Sequence, residues 1–223
     1  MPSQQPNASE QVENVSQFFQ IHPENPQARL IKQAVEIIRK GGVVIYPTDS
    51  SYAIGCQIGD KTAVERVRRL RQLDEKHNFA LICADLSQLG LFAKVDTGLF
   101  RLLKAHTPGP YTFILNATRE VPRLLLHPKK RTIGLRIPSH PIALALLAEL
   151  GEPLMSVSLI MPGDSDPMID PYEIRQLLEH QVELIIDGGF GGIKASTVIN
   201  LADGEPQVVR VGCGDPAPFG GEA

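Results

Sequence analysis

The chain has 223 residues, 43% of them hydrophobic, with a formal net charge of −3 and a pI near 6.1. That length supports one sizeable core and one domain by default, and the mild acidity excludes a generic polyanion binder, so any nucleic-acid contact needs a local basic patch. Cys56, Cys83 and Cys213 are too few and too scattered for a disulfide framework or a zinc site, no apolar run reaches membrane-spanning length, and no signal pattern opens the chain, all of which points to the cytoplasm.

Residues 1–16, rich in Ser, Gln, Asn and Glu, are expected to form a disordered leader. Phe18 to Ile21 reads as a first strand. Asn25 and Pro26 then supply an N-cap and a first-turn proline for a helix with Leu30, Ile31, Ala34, Val35 and Ile38 on one face, stopped by Gly41. Val43 to Tyr46 is a short β-branched strand that empties into the loop Pro47-Thr48-Asp49-Ser50-Ser51. A helix is expected next, capped by Asp60, with Ala63, Val64, Val67 and Leu70 as its apolar stripe and Arg66, Arg68, Arg69 and Arg71 at its end. At about 100° per residue, Arg71 falls at the edge of that stripe and Arg69 points away from it.

Phe79 to Cys83 reads as a strand, Asp85 as the cap of a short helix, and Leu99 to His106 as an amphipathic helix. Tyr111 to Leu115 is a strand, Pro122 to Leu126 a short helix and Thr132 to Ile137 a strand. The apolar helix around ALALLAELG is closed by Gly151, followed by a strand from Leu154 to Ile160. Asp170-Pro171 opens a helix to His180, then Val182 to Ile186, Ser196 to Leu201 and Val208 to Val211 are strands, and residues 215–223 are expected to be a flexible tail. Alternating strands and helices followed by strand-rich sequence predict a single α/β domain with a twisted mixed sheet.

Several patterns carry polar chemistry without deciding it. The hydroxyls of Thr48 to Ser51 follow a buried strand, where open α/β sheets place ligand groups, but turn and capping chemistry gives the same spacing. Arg136 inside an apolar strand either faces solvent or lines a pocket. Ser156 and Ser158 share a strand face and can meet phosphate oxygens or satisfy each other. Gly188, Gly189, Gly191 and Gly192 sit between strands and read as a turn that lets backbone approach closely. His140 reads as a loop histidine. No common nucleotide fingerprint is present.

Taken in order, six segments resemble the YrdC/YciO family of threonylcarbamoyl-AMP synthase-like proteins. PTDSSYAIG resembles PTET-x-YGLG, RLRQLDEKHNFAL resembles KxRP…NPL, PGPYTFIL resembles PGP-x-T-x-x-L, and TIGLRIPSHPIA resembles TVGVR-x-P-x-HP. PLMSVSLIMPG resembles P-L-x-x-TSAN-x-SG, and DGG, STVIN and VVRVG together resemble the closing motif. The likeness spans residues 17–214 and is nearest to the YciO branch. It implies a YrdC/RibB-like fold, a twisted mixed β-sheet flanked by helices around a large concave, positively lined cavity. It also implies a reaction of L-threonine, bicarbonate and ATP, with Mg²⁺, to threonylcarbamoyl-AMP and pyrophosphate, feeding the t6A modification of tRNA.

Carried over residue by residue, the resemblance places Ser50 and Arg136 at threonine. It places Arg69, Arg71, Asn78, Thr112, Ser139, Ser158 and Arg210 along ATP, and implies no protein-held metal. The chain departs from the pattern at Arg69, where the synthases carry lysine, and at Ile160, where they carry asparagine. The alternative is a non-catalytic protein that binds tRNA or double-stranded RNA through the same cavity together with Lys129, Lys130 and Arg131.

Overall fold

A computed structural model describes residues 15–74, 77 and 79–222. The elements run β1 (Gln17–Gln20), α1 (Ala28–Arg39), β2 (Val44–Tyr46), β3 (Ala53–Gln57), α2 (Lys61–Arg71), β4 (Ala80–Ile82), α3 (Leu86–Phe92) and α4 (Thr97–His106). They continue as β5 (Tyr111–Asn116), β6 (Thr132–Arg136), α5 (Pro141–Leu150), β7 (Leu154–Ser158), α6 (Pro171–Leu178), β8 (Leu184–Asp187), β9 (Thr197–Asn200) and β10 (Gln207–Arg210). All ten strands form one twisted mixed sheet in the order β1-β8-β2-β3-β7-β4-β6-β5-β9-β10. The α/β class read from the alternation of elements is therefore the one observed.

The period-2 alternation of strand side chains sorts the sheet into two faces. On one face Ile45, Ile54, Leu81, Met155, Leu135 and Phe113 pack under α2, α3, α4 and α6 in one apolar cluster. On the other, Val44, Tyr46, Leu154, Leu184 and Ile186 pack under α1 and α5. Beyond that second cluster the same face carries Ala80, Gly134, Thr112 and Ser156, small or polar residues that leave the sheet open. The cavity described below lies there.

Most helix signals act as their chemistry dictates. Asp60, Asp85, Asp96 and Asp170 each accept a backbone N–H in the first turn of α2, α3, α4 and α6. Gly41 and Gly151 take left-handed φ values of 84° and 77° where α1 and α5 stop. The start of α1 differs from expectation: its cap is Gln27, whose side chain accepts no bond from the helix because Oε1 takes the His22 N–H instead. His22 Nδ1 in turn accepts from Glu24 and Asn25, so Asn25 belongs to a turn before the helix.

The sequence reading leaves one strand out and draws the edges of the folded part differently from the structure. Strand β3 does not stand out in the sequence, because Gly55 and the serines before it weaken a strand pattern, yet it pairs antiparallel with both β2 and β7. Its glycine is required: a Cβ at Gly55 would lie 2.7 Å from the Met155 carbonyl and 3.1 Å from the Tyr46 ring. The tail is not loose, since Phe219 is buried with its ring 4.7 Å from His106 and 5.5 Å from Tyr111. The leader lies outside the described residues through residue 14, but Ser16 is buried and its N–H donates to the Glu179 carbonyl at 2.6 Å. No helix among the described residues is long and apolar enough to cross a membrane.

Gly55→Ala is expected to destabilise the fold by about 2 kcal/mol, the usual scale for overpacking a core, with the urea midpoint lowered in proportion. An unchanged midpoint would contradict this account of β3.

Candidate functional site

Every second residue of the central strands lines one cavity of about 440 Å³ on the open part of the sheet. Ala80 and Ile82 come from β4, Thr112 and Ile114 from β5, Gly134 and Arg136 from β6, and Ser156 and Ser158 from β7. Gly134 keeps the floor flat, since a Cβ there would meet the Phe79 carbonyl at 3.1 Å and both Ala80 and Thr112 at 3.3 Å. The volume falls within the roughly 300–1,000 Å³ of small-molecule sites.

At one end the turn after β2 is locked by its hydroxyls. Thr48 Oγ1 donates to the Ser51 carbonyl at 2.7 Å and accepts from the backbone N–H groups of Ser50 and Ser51. Arg136 reaches this turn from β6. Its Nη1 donates to Ser50 Oγ at 2.8 Å and its Nη2 to Asp49 Oδ1 at 2.7 Å, in an ion pair whose side chains are 7% and 12% exposed. The Gly188–Gly192 segment covers the turn from outside. Backbone packs on backbone there, because a Cβ at Gly192 would collide with the Ser50 carbonyl, and one at Gly188 would fall 2.7 Å from Pro47 and Ile142.

Cations and hydroxyls hold the other end. Arg71 Nε donates to the Ser158 carbonyl at 3.0 Å, and Arg210 donates to the Ser196 carbonyl from Nη2 at 2.8 Å and from Nε at 3.1 Å. Thr112 and Ser196 hydroxyls are 2.8 Å apart. Burial pushes both guanidiniums below their ordinary pKa, and Arg136 adds to the shift at Arg210. His77 also lines the cavity, its imidazole held below the ordinary value by burial first and by Arg71 next.

The structure thus brings Ser50, Arg136, Arg71, Thr112, Ser158 and Arg210 to one cavity. The arginines at the end of α2 divide by angle. Arg66 pairs with Glu183 at 2.7 Å, Arg68 lies over the Phe79 ring at 4.9 Å, and Arg71 turns into the cavity. Arg69 is exposed and outside the lining, as its helical angle requires, and Ser139 is likewise exposed and outside it. Both therefore leave the cavity set that the motifs suggested. Asn78 lies outside the described residues.

His140 caps α5, its Nδ1 accepting the Ile142 N–H at 3.2 Å. Lys129, Lys130 and Arg131 are exposed at the opposite end of β6 from Arg136, with Lys130 Nζ 3.5 Å from Asp203. His77 and Ser196 line the cavity without having been singled out, whereas for Thr48 and Ser156 the sequence left ligand binding and local bonding both open. Strand alternation identifies Ser156, whereas His77 lies in a connection with no periodic signal.

Residues 36–212 match the Sua5/yciO/yrdC family, described as telomere recombination. The chain belongs to this family. It is 60% identical to the YciO protein of Escherichia coli K12 over 205 residues, 92% of this chain and all of that one. The crystal structure of E. coli YciO superposes with a TM-score of 0.90, covering 92% of this chain and 99% of that chain. A threonylcarbamoyl-AMP synthase of Nitrosococcus oceani is 33% identical over 159 residues, 71% of this chain and 85% of that one. The structure of P. abyssi Sua5 complexed with L-threonine matches with a TM-score of 0.80 at 27% identity, covering 92% of this chain and 64% of that chain.

The depressed imidazole sets a pH dependence. As pH falls, the unfolded chain takes up a proton near pH 6.5 before folded His77 does, so stability is lost below that pH. An NMR titration is expected to place the His77 midpoint below 6.5, and added pyrophosphate is expected to raise it by supplying negative charge. A midpoint at or above 6.5 in the free protein would contradict this description of the cavity.

Proposed function

We propose that the cavity binds L-threonine at the Ser50–Arg136 end and ATP at the Arg71–Thr112–Arg210 end, and forms threonylcarbamoyl-AMP. The observation that carries this is the convergence of the two sets on one cavity of about 440 Å³. The N. oceani relative and the threonine-bound P. abyssi structure support the choice of ligand.

The chemistry asks mainly for positioning and charge. Threonine amine bonds to the bicarbonate carbon as a C–O bond breaks, giving a carbamate and water. A carbamate oxygen then forms a bond to the α-phosphorus as the bond to the bridging oxygen breaks and pyrophosphate leaves. Arg136 orients the threonine carboxylate. Arg71 and Arg210, fixed by carbonyl oxygens, offset charge on the phosphates, and excluding water strengthens both effects. Mg²⁺ would come with the nucleotide and would help offset the leaving-group charge beside Arg71 and Arg210. A product of this kind feeds threonylcarbamoylation of tRNA, a reaction that needs no RNA in the cavity itself.

Ile160 lines the cavity where the family motif has asparagine, so an apolar group replaces a hydrogen-bond donor. Threonine-dependent pyrophosphate release from ATP and bicarbonate is expected, and Arg136→Ala should lower it at least 100-fold. No threonine dependence in the unaltered chain would overturn the proposal. Ile160→Asn is expected to raise the rate about tenfold, in line with one added charge-assisted hydrogen bond. Arg69→Lys is expected to change it less than twofold, because Arg69 is off the cavity. A large effect of Arg69→Lys alone would contradict this placement.

A further inference from the structure

The connection between β5 and β6 is far longer than the pairing of these strands requires. Antiparallel neighbours close with about two to five residues, whereas here residues 117–131 run between the paired Asn116 and Thr132. The path is fixed along its length. The Thr118 N–H donates to the Phe92 carbonyl at 2.9 Å and the Thr118 hydroxyl to the Leu91 carbonyl at 2.6 Å. Val121 and Leu125 are buried in the core. His127 shapes the return, its carbonyl accepting the Arg131 N–H at 3.1 Å and its Nδ1 accepting the N–H groups of Lys129 and Lys130.

This connection carries Arg119, Arg123, Lys129, Lys130 and Arg131 against one carboxylate, Glu120, in a chain whose net charge is −3. Arg119, Arg123 and Arg131 line one pocket of about 320 Å³, with Val121 and Leu126 as its apolar lining. Among the described residues none of the three arginines forms an ion pair, and Asp203 is engaged by Lys130 and Asn200. Arg131 holds a left-handed φ of 53°, a position that glycine or asparagine occupies at lower cost. Three like charges gathered around one pocket repel one another, and an anion bound there would remove that repulsion.

We propose that Arg119, Arg123 and Arg131 form an anion site for a diphosphate group, separate from the cavity on the sheet. The length of β6, about 13 Å at about 3.3 Å per residue, lies between this pocket and Arg136. A carboxylate is planar and is filled by one guanidinium fork. The tetrahedral oxygens of phosphate accept from forks on several sides, and two linked phosphates balance three cations. Lys129 and Lys130 add to the positive field without lining the pocket. The small volume and apolar lining fit a compact group, and the site does not depend on the function proposed for the cavity.

The test is an NMR titration of pyrophosphate into the full chain. Backbone amides of residues 119–131 report this site, and those of Thr112 and Ser158 report the cavity. A saturable shift is expected at residues 119–131. Arg123→Ala, and Arg131→Gly, which suits the left-handed backbone, should each weaken it about tenfold and leave the Thr112 and Ser158 response within twofold of the unaltered chain. Thermal melts check that both variants fold. Lys32→Ala removes the same charge from α1 and should change neither response. Malonate at equal ionic strength should bind the site at least tenfold more weakly than pyrophosphate. ADP in place of pyrophosphate distinguishes a diphosphate carried on a nucleoside from a free one, and saturation by either supports the site. No saturable shift at residues 119–131 would overturn the inference. So would equal weakening by Lys32→Ala, the mark of a diffuse ion atmosphere, or malonate binding as tightly as pyrophosphate.

Discussion

A guanidinium buried in the middle of a sheet needs compensation, and how Arg136 obtains it shapes the rest of the cavity. The residue is 5% exposed, and its charge is met by Asp49 at 2.7 Å and by Ser50 at 2.8 Å. Both partners come from the turn after β2, while Arg136 stands on β6, with β3, β7 and β4 between them in the sheet. The contact therefore ties one end of the cavity shut across four strand-to-strand steps. Removing either charge would leave the other buried and uncompensated, a far larger penalty than losing a surface pair. Asp49 Oδ2 and Arg136 Nε have no hydrogen-bond partner among the described residues, so the site keeps polar capacity that its own fold leaves unused.

The two ends of the cavity differ in how they hold charge. At the Ser50 end the arginine is neutralised by a carboxylate, and Thr48 donates its hydroxyl to the Ser51 carbonyl. At the far end Arg71 and Arg210 are anchored through carbonyl oxygens, which fix the guanidiniums in place without cancelling their charge. The first arrangement suits a small zwitterion that needs donors and an acceptor in fixed places. The second suits a polyanion whose charge must be balanced. Between them Ala80 and Gly134 keep the floor low, so the two ends belong to one continuous cavity.

Much of this was legible in the sequence, for physical reasons that differ by residue. Arg71 could be placed from helical angle alone, because 100° per residue puts it beside Val67, and the same geometry turned Arg69 outward even though a motif pointed to it. Ser156 and Ser158 share a face because strands have a period of two, but only the tertiary fold shows that this face is open. Strand β3 escaped detection because its defining residue is a glycine kept for close packing, which reads locally as a breaker. The packed tail escaped for a related reason, since its order depends on one aromatic, Phe219, finding a pocket made by residues a hundred positions earlier. The Asp49–Arg136 pair is an 87-residue contact that no local pattern reveals.

The most direct test of the central claim is a crystal structure after soaking with L-threonine and with ATP and Mg²⁺ in separate experiments. The account predicts threonine against Ser50 and Arg136, and the nucleotide's phosphates against Arg71 and Arg210, in the same cavity and without overlap. Phosphates bound only outside that cavity, or threonine placed away from Arg136, would contradict it.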